Sequence, residues 1–76
     1  MTQTLKLLPP DLWFNQLFAT KSAQRGGVVR RAVRDVERVM GRAQFEAMIK
    51  ERGFQAIENG EQYIVLCNQR PVRLIR

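Results

Sequence analysis

The residue pair Asn59-Gly60, with alternating apolar and polar residues on both sides, is the feature that most constrains the fold. Asn-Gly is the strongest short-range signal for a two-residue β-hairpin turn. It separates two segments with strand periodicity, Phe54–Glu58 and Glu61–Cys67. A second turn at residues 68–71 leaves Val72–Ile75 as a third strand. The C-terminal part of the chain is therefore predicted to be a three-stranded antiparallel β-meander.

Before Gly53 the apolar residues recur every three to four positions, which predicts helices rather than strands. We predict three helices, which span Asp11–Gln24, Val28–Met40 and Arg42–Arg52. Residues 1–8 are interpreted as either a short edge strand or a loose tail. With only 76 residues, the chain can form one modest core, so residues 1–76 are predicted to be a single domain. The expected fold class is α+β, with three helices followed by the meander.

The hairpin fixes which strand residues share a face. A two-residue loop at Asn59-Gly60 places Ala56 opposite Tyr63, and it also places Glu58 opposite Glu61. The face predicted to point to the core consists of Phe54, Ala56, Tyr63, Val65, Cys67, Val72 and Leu74. The second face carries Ile57, Ile64, Leu66 and Ile75. It is too apolar to be simply solvated, so we expect the N-terminal helix or another chain to cover it.

Positive charge is concentrated in the middle of the chain. The sequence has 13 Lys and Arg against 7 Asp and Glu, a formal net charge of +6. On a helix with about 100° per residue, five arginines between residues 30 and 42 fall within an arc of roughly 120°, opposite the valines. The planar guanidinium suits bidentate contact with phosphate. The predicted nucleic-acid-binding residues are Arg30, Arg34, Arg38 and Arg42, supported by Arg31, Arg25 and Lys21. The alternative is a solvated face that glutamates elsewhere in the fold partly neutralise.

Residue types needed for common catalytic and metal sites are missing. The sequence has no histidine and a single cysteine, Cys67. Histidine is the commonest general base near neutral pH, and one thiol makes neither a disulfide within the chain nor a cysteine-based zinc site. We therefore predict a non-enzymatic protein without catalytic residues, metal or cofactor. No segment approaches the roughly 20 apolar residues of a membrane span, so we expect no membrane association and a cytoplasmic location.

Three resemblances accompany this pattern. Two helices followed by a hairpin are similar to winged-helix DNA-binding domains, with Val28–Met40 and Arg42–Arg52 as the helix-turn-helix and Phe54–Cys67 as the wing. The segment FEAMIKERGFQAIENGEQYIVLC resembles part of the HicA-type RNA-cleaving toxins. Their catalytic histidine is missing from Gln62–Cys67, so that resemblance implies RNA binding without cleavage. The whole pattern resembles short bacterial open reading frames of unknown function, which implies a bacterial source.

The sequence thus favours a small, basic, non-enzymatic protein that binds nucleic acid, either DNA or RNA, through an arginine-rich helix face. Such binding would weaken steeply with salt and show little base specificity. The alternative is a protein-interaction module or homodimer. It would use the second apolar sheet face, or pair its arginines with an acidic protein partner.

Overall fold

The structure is a computed structural model, and it describes residues 9–76. The predicted edge strand or tail at residues 1–8 lies outside the described residues. The elements in chain order are helix α1 (Pro10–Leu17), helix α2 (Lys21–Gln24), strand β1 (Val28–Ala32), helix α3 (Val33–Val39), helix α4 (Arg42–Glu51), strand β2 (Gln55–Asn59) and strand β3 (Gln62–Leu66).

The three strands form one antiparallel sheet in the order β1-β3-β2. This confirms the α+β class and the three-stranded antiparallel sheet. The chain order differs from the predicted one, because one strand precedes α3 and α4 instead of following them. The central strand β3 has β1 on one side and β2 on the other. The segment Val72–Ile75, predicted as the third strand, forms no strand.

The β2–β3 hairpin is confirmed, with a register shifted from the predicted one. The loop is Gly60-Glu61, and Asn59 pairs with Gln62, so Glu58 lies opposite Tyr63 rather than Glu61. The shift is two positions, and side chains alternate with period two along a strand. Every residue of the hairpin therefore keeps its predicted face. Tyr63 and Val65 are buried, whereas Ile57 is 44% exposed.

The helix predicted over Asp11–Gln24 is interrupted after Leu17. Thr20 has extended backbone angles, and its Oγ1 accepts a hydrogen bond of 3.2 Å from the backbone N–H of Ala23. A threonine side chain that accepts this bond is a strong N-terminal cap, and it starts the separate helix α2. Phe14, Leu17 and Phe18 remain buried on one side of the interrupted segment.

The helix predicted over Val28–Met40 is half wrong. Residues 28–32 form β1, which pairs Val28 with Leu66 and Val29 with Val65, and the helix begins only at Val33. Two consecutive β-branched residues favour an extended chain. The open edge of β3 gives that extended chain hydrogen-bond partners along one side, which makes β1 an outer strand of the sheet. Val29 lies in β1, and Val33 and Val36 lie in α3. All three are nevertheless buried in the core, as their helical spacing predicts.

Helices α3 and α4 are joined by a very short turn at Met40-Gly41. The backbone N–H groups of both turn residues donate to the carbonyl of Val36, each at 2.9 Å. Gly41 has φ 86° and ψ 158°, a conformation that is open essentially only to glycine. The helix predicted over Arg42–Arg52 is confirmed to within one residue as α4.

The core lies between the helices and one face of the sheet. Its fully buried side chains are Phe14, Val36, Phe45 and Val65. Phe45 contacts both Phe14 and Tyr63, with ring centroids 5.7 and 4.9 Å apart. The other face of the sheet, here called the outer face, carries Val28, Arg30, Ile57, Ile64 and Leu66. Val28 and Ile57 are each 44% exposed on it.

Candidate nucleic-acid interface

The single helical stripe of arginines does not exist, because β1 divides it. Arg30 and Arg31 are neighbours on a strand, so their side chains leave opposite faces of the sheet. Arg30 is exposed on the outer face. Arg31 is half-buried on the helix side, where its Nη1 donates a hydrogen bond of 2.6 Å to the carbonyl oxygen of Arg30.

Arg34 and Arg38 do form a pair of exposed cations. They lie one turn apart on α3, and both face solvent. Arg38 is 3.8 Å from the carboxylate of Asp35, with 62% of its side chain exposed. Exposed ion pairs of this kind are weak and are screened by salt. Within residues 9–76 Arg34 forms no salt bridge. Both guanidinium groups are therefore accessible to an external anion.

Arg31 and Arg38 border the same shallow pocket, which has a volume of about 160 Å³. Trp13, Asp35 and Val39 complete its lining. Arg31, Arg34 and Arg38 are here called the α3 surface. Arg31 and Arg38 share the pocket with one carboxylate and a half-buried indole, whereas Arg34 lies outside it, one helical turn before Arg38. Cations beside an aromatic side chain are a combination that suits a phosphate and its attached base or sugar.

Arg42 is not part of this surface, because it is held by the protein's own carboxylates. Its Nη1 and Nη2 donate to the two oxygens of Glu58 at 2.7 and 3.2 Å, and its Nε donates to Glu37 at 2.9 Å. The hydrogen bonds to Glu58 and then to Glu37 raise the pKa of Arg42. This clamp joins the start of α4 to α3 and to β2. Arg42 is thus engaged by two carboxylates of its own domain, and its role as a phosphate ligand stays a prediction.

Lys21 and Arg25 are exposed at the two ends of α2. The helix packs near the start of β1, where Ser22 Oγ donates to the carbonyl of Val28 at 3.4 Å. Helix α3 begins at the opposite end of that strand. Five strand residues span roughly 17 Å, so the structure does not bring these two cations together with Arg34 and Arg38.

Helix α4, which the winged-helix resemblance predicts to be the second helix of a helix-turn-helix, is less suited to a polyanion. Its exposed positions include Glu46 and Glu51 beside Lys50, and the loop of the hairpin carries Glu61. Tyr63 lies under this helix, and its hydroxyl donates to Glu46 at 2.8 Å. Burial and this hydrogen bond raise the pKa of Tyr63 to about 12.

Sequence reasoning missed the acceptors that determine which arginines are accessible. Glu37 and Glu58 lie 5 and 16 positions from Arg42. Neither spacing is the i,i+3 or i,i+4 relation that identifies a pair on one helix. No helical spacing draws attention to Arg52 either. It donates a hydrogen bond to Asn15, and its guanidinium lies 5.2 and 5.6 Å from the rings of Phe14 and Phe18.

The lone thiol has the properties of a core group. Cys67 is buried, and burial raises its pKa, which keeps the sulfur protonated and weakly nucleophilic. Across residues 9–76 no three acidic or cysteine side chains gather as metal ligands would. In the same part of the chain, no helix has the length and apolar character required to cross a membrane.

Comparisons with models of known protein families, with curated proteins and with solved structures gave no match.

Proposed function

We propose that this chain is a small nucleic-acid-binding domain that contacts phosphates through the α3 surface. The observation that carries the proposal is the accessibility of Arg34 and Arg38, which lie one helical turn apart without a strong internal partner. Arg31 adds a third guanidinium beside Arg38. Arginine binds phosphate as a bidentate donor, and such contacts supply affinity without reading base sequence.

The element order supports the same proposal. Helices α1 and α2, strand β1, the helices α3 and α4 joined at Met40-Gly41, and then the β2–β3 hairpin follow one another, and apart from the short α2 this is the order of winged-helix domains. In that comparison α4 takes the place of the helix that enters the major groove. Its glutamates oppose this use, so we propose phosphate contacts from α3 rather than base recognition from α4.

The test is a salt-titrated binding assay with duplex DNA, single-stranded DNA and structured RNA. Two to three phosphate contacts predict that a fourfold rise in salt lowers affinity by about 10- to 40-fold. Replacing Arg34 and Arg38 together by Gln removes two of these contacts, and the salt dependence falls accordingly. The change lies on the exposed side of α3, so circular dichroism of the variant stays like that of the parent.

The matched control is the double variant Lys21→Gln, Arg25→Gln, which removes the same charge from α2. It retains most of the affinity, because these side chains lie near the other end of β1. Equal losses in both double variants would show that binding follows net charge alone. Unchanged binding in the Arg34, Arg38 variant would rule out the α3 surface.

A further inference from the structure

The C-terminal segment has the sequence of a strand and no strand partner. Residues 71–76 form neither helix nor strand. Val72, Leu74 and Ile75 are 51%, 86% and 73% exposed. The edge of β3 that their alternation was predicted to occupy is taken by β1, since Val65 pairs with Val29. Three apolar side chains are thus exposed in a segment that pairs with no strand among residues 9–76.

The sheet offers one edge with apolar surface on both of its faces. Among residues 9–76, strand β2 pairs only with β3, so within this part of the chain its outer backbone edge is unpaired. Between this edge and α4 lies a groove of about 480 Å³. Its apolar lining consists of Ile49, Phe54, Ala56 and Tyr63. On the opposite face of the same strand, Ile57 is 44% exposed.

We propose that the C-terminal segment of one copy of this chain adds to the β2 edge of a second copy as a fourth strand. Alternation places Val72 and Leu74 on one side of the added strand, toward the groove, and Ile75 on the other, beside Ile57. Edge strands with exposed backbone groups bind extended segments in this way.

Charge is consistent with this partner. The segment from residue 70 onward carries Arg70, Arg73 and Arg76 and no acid. The groove is bordered by Glu46 and Glu58, with Lys50 as the one base. Glu58 is already bound by Arg42, so Glu46 is the rim carboxylate that an arginine of the basic segment would meet.

The geometry favours binding of the segment to the groove of a second copy over binding to the groove of its own chain. Gln55 Nε2 donates to the carbonyls of Asn68 and Arg70 at 3.1 and 2.7 Å, which fixes the origin of the segment at the start of its own β2. Beyond this point Leu74 is almost fully exposed, so the segment leaves its own domain. Six extended residues reach about 20 Å. Reciprocal exchange of identical segments gives a closed two-fold dimer.

The experiment is sedimentation velocity on the full chain over a wide concentration range. The parent is expected to approach twice its 8.8 kDa mass at submillimolar concentration. The double variant Val72→Asp, Leu74→Asp is expected to remain monomeric. Its fold is not at risk, because both side chains are exposed. The matched control is Leu12→Asp, a change at another exposed leucine, which dimerises like the parent.

A peptide that copies residues 69–76 provides a second measurement. Added to the Val72→Asp, Leu74→Asp chain, it is expected to shift the backbone amide resonances of β2, whereas a peptide with the same two aspartates does not. A parent that stays monomeric, or a dimer that survives the double variant, overturns the proposal. The double variant retains Arg34 and Arg38, so its nucleic-acid affinity tests the proposed function separately.

Discussion

Raising the pH above 10 should destabilise the folded chain through Tyr63. Burial, assisted by the hydrogen bond to Glu46, raises the pKa of Tyr63 from 10.0 to about 12. Below pH 10 the phenol is protonated in the folded and the unfolded chain alike, so it adds no pH dependence. Between pH 10 and 12 the unfolded chain loses this proton while the folded chain keeps it, and the free energy of unfolding falls. At about 1.4 kcal/mol per pKa unit, the full loss, reached above pH 12, is about 3 kcal/mol.

Two measurements test this magnitude. Tyr63 is the single tyrosine of the sequence, so ultraviolet absorbance of tyrosinate reports its ionisation directly. Urea unfolding of the parent and of Tyr63→Phe, measured from neutral to alkaline pH, isolates the contribution of Tyr63 from that of other titrating groups. Near neutral pH the variant loses only the bond to the exposed Glu46, about 1 kcal/mol. A tyrosinate midpoint near 10, or parallel stability curves above pH 10, would refute the reasoning.

Three further predictions concern the fold around the proposed site. Gly41→Ala forces alanine into the conformation at φ 86° and should lower the free energy of unfolding by about 1–3 kcal/mol. Gly60→Asn, at φ 63° in a turn, should lower it much less. Thermal denaturation of the two variants compares these effects. Phe45→Ala empties a site with no exposed surface and should cost about 3–5 kcal/mol; retention of the parent's urea midpoint would contradict this. Glu58→Gln should loosen the clamp on Arg42 and speed amide exchange in the β2–β3 hairpin without lowering nucleic-acid affinity; unchanged exchange would show that the clamp is not structural.

The elements set by local chemistry could be predicted from the sequence. Asn59-Gly60 located the hairpin, and the glycines at positions 41 and 53 bounded α4. The register was shifted, and the faces of Tyr63 and Ile57 were still correct. An error of two positions preserves strand alternation, whereas an error of one position would have exchanged the two faces. Face assignment was therefore more robust than residue pairing.

Strand β1 could not be predicted because its stability comes from a distant part of the chain. Residues 28–32 are too few for clear alternation, and Val29 also fits the helical spacing that continues through Val33 and Val36. Only the edge of β3, more than 30 positions further along the chain, decides between the two conformations. The sequence pattern assigns this same edge of β3 to Val72–Ile75. The failure to predict β1 and the incorrect prediction of a C-terminal strand are therefore one error, because both concern which segment pairs with that edge.

The sequence predicts which residue type makes up the candidate site, but it does not predict how those residues are arranged. The sequence showed that arginines gather between residues 30 and 42, and the structure leaves Arg34 and Arg38 exposed on one helix. It moves Arg30 to the outer face of the sheet and binds Arg42 to Glu37 and Glu58. Which cations remain accessible depended on tertiary contacts that no helical spacing encodes.

The distribution of acids also determines which side of the domain can attract a polyanion. Residues 42–66 contain three bases and four glutamates, a net charge of −1, although the chain as a whole carries +6. This region includes α4 and the hairpin, the two elements that a winged-helix domain directs at DNA. In the proposed function, long-range attraction would orient a nucleic acid toward the remaining elements, where α3 presents its guanidinium groups. A domain oriented in this way would keep α4 away from the base edges, so its affinity would depend on salt far more than on base sequence.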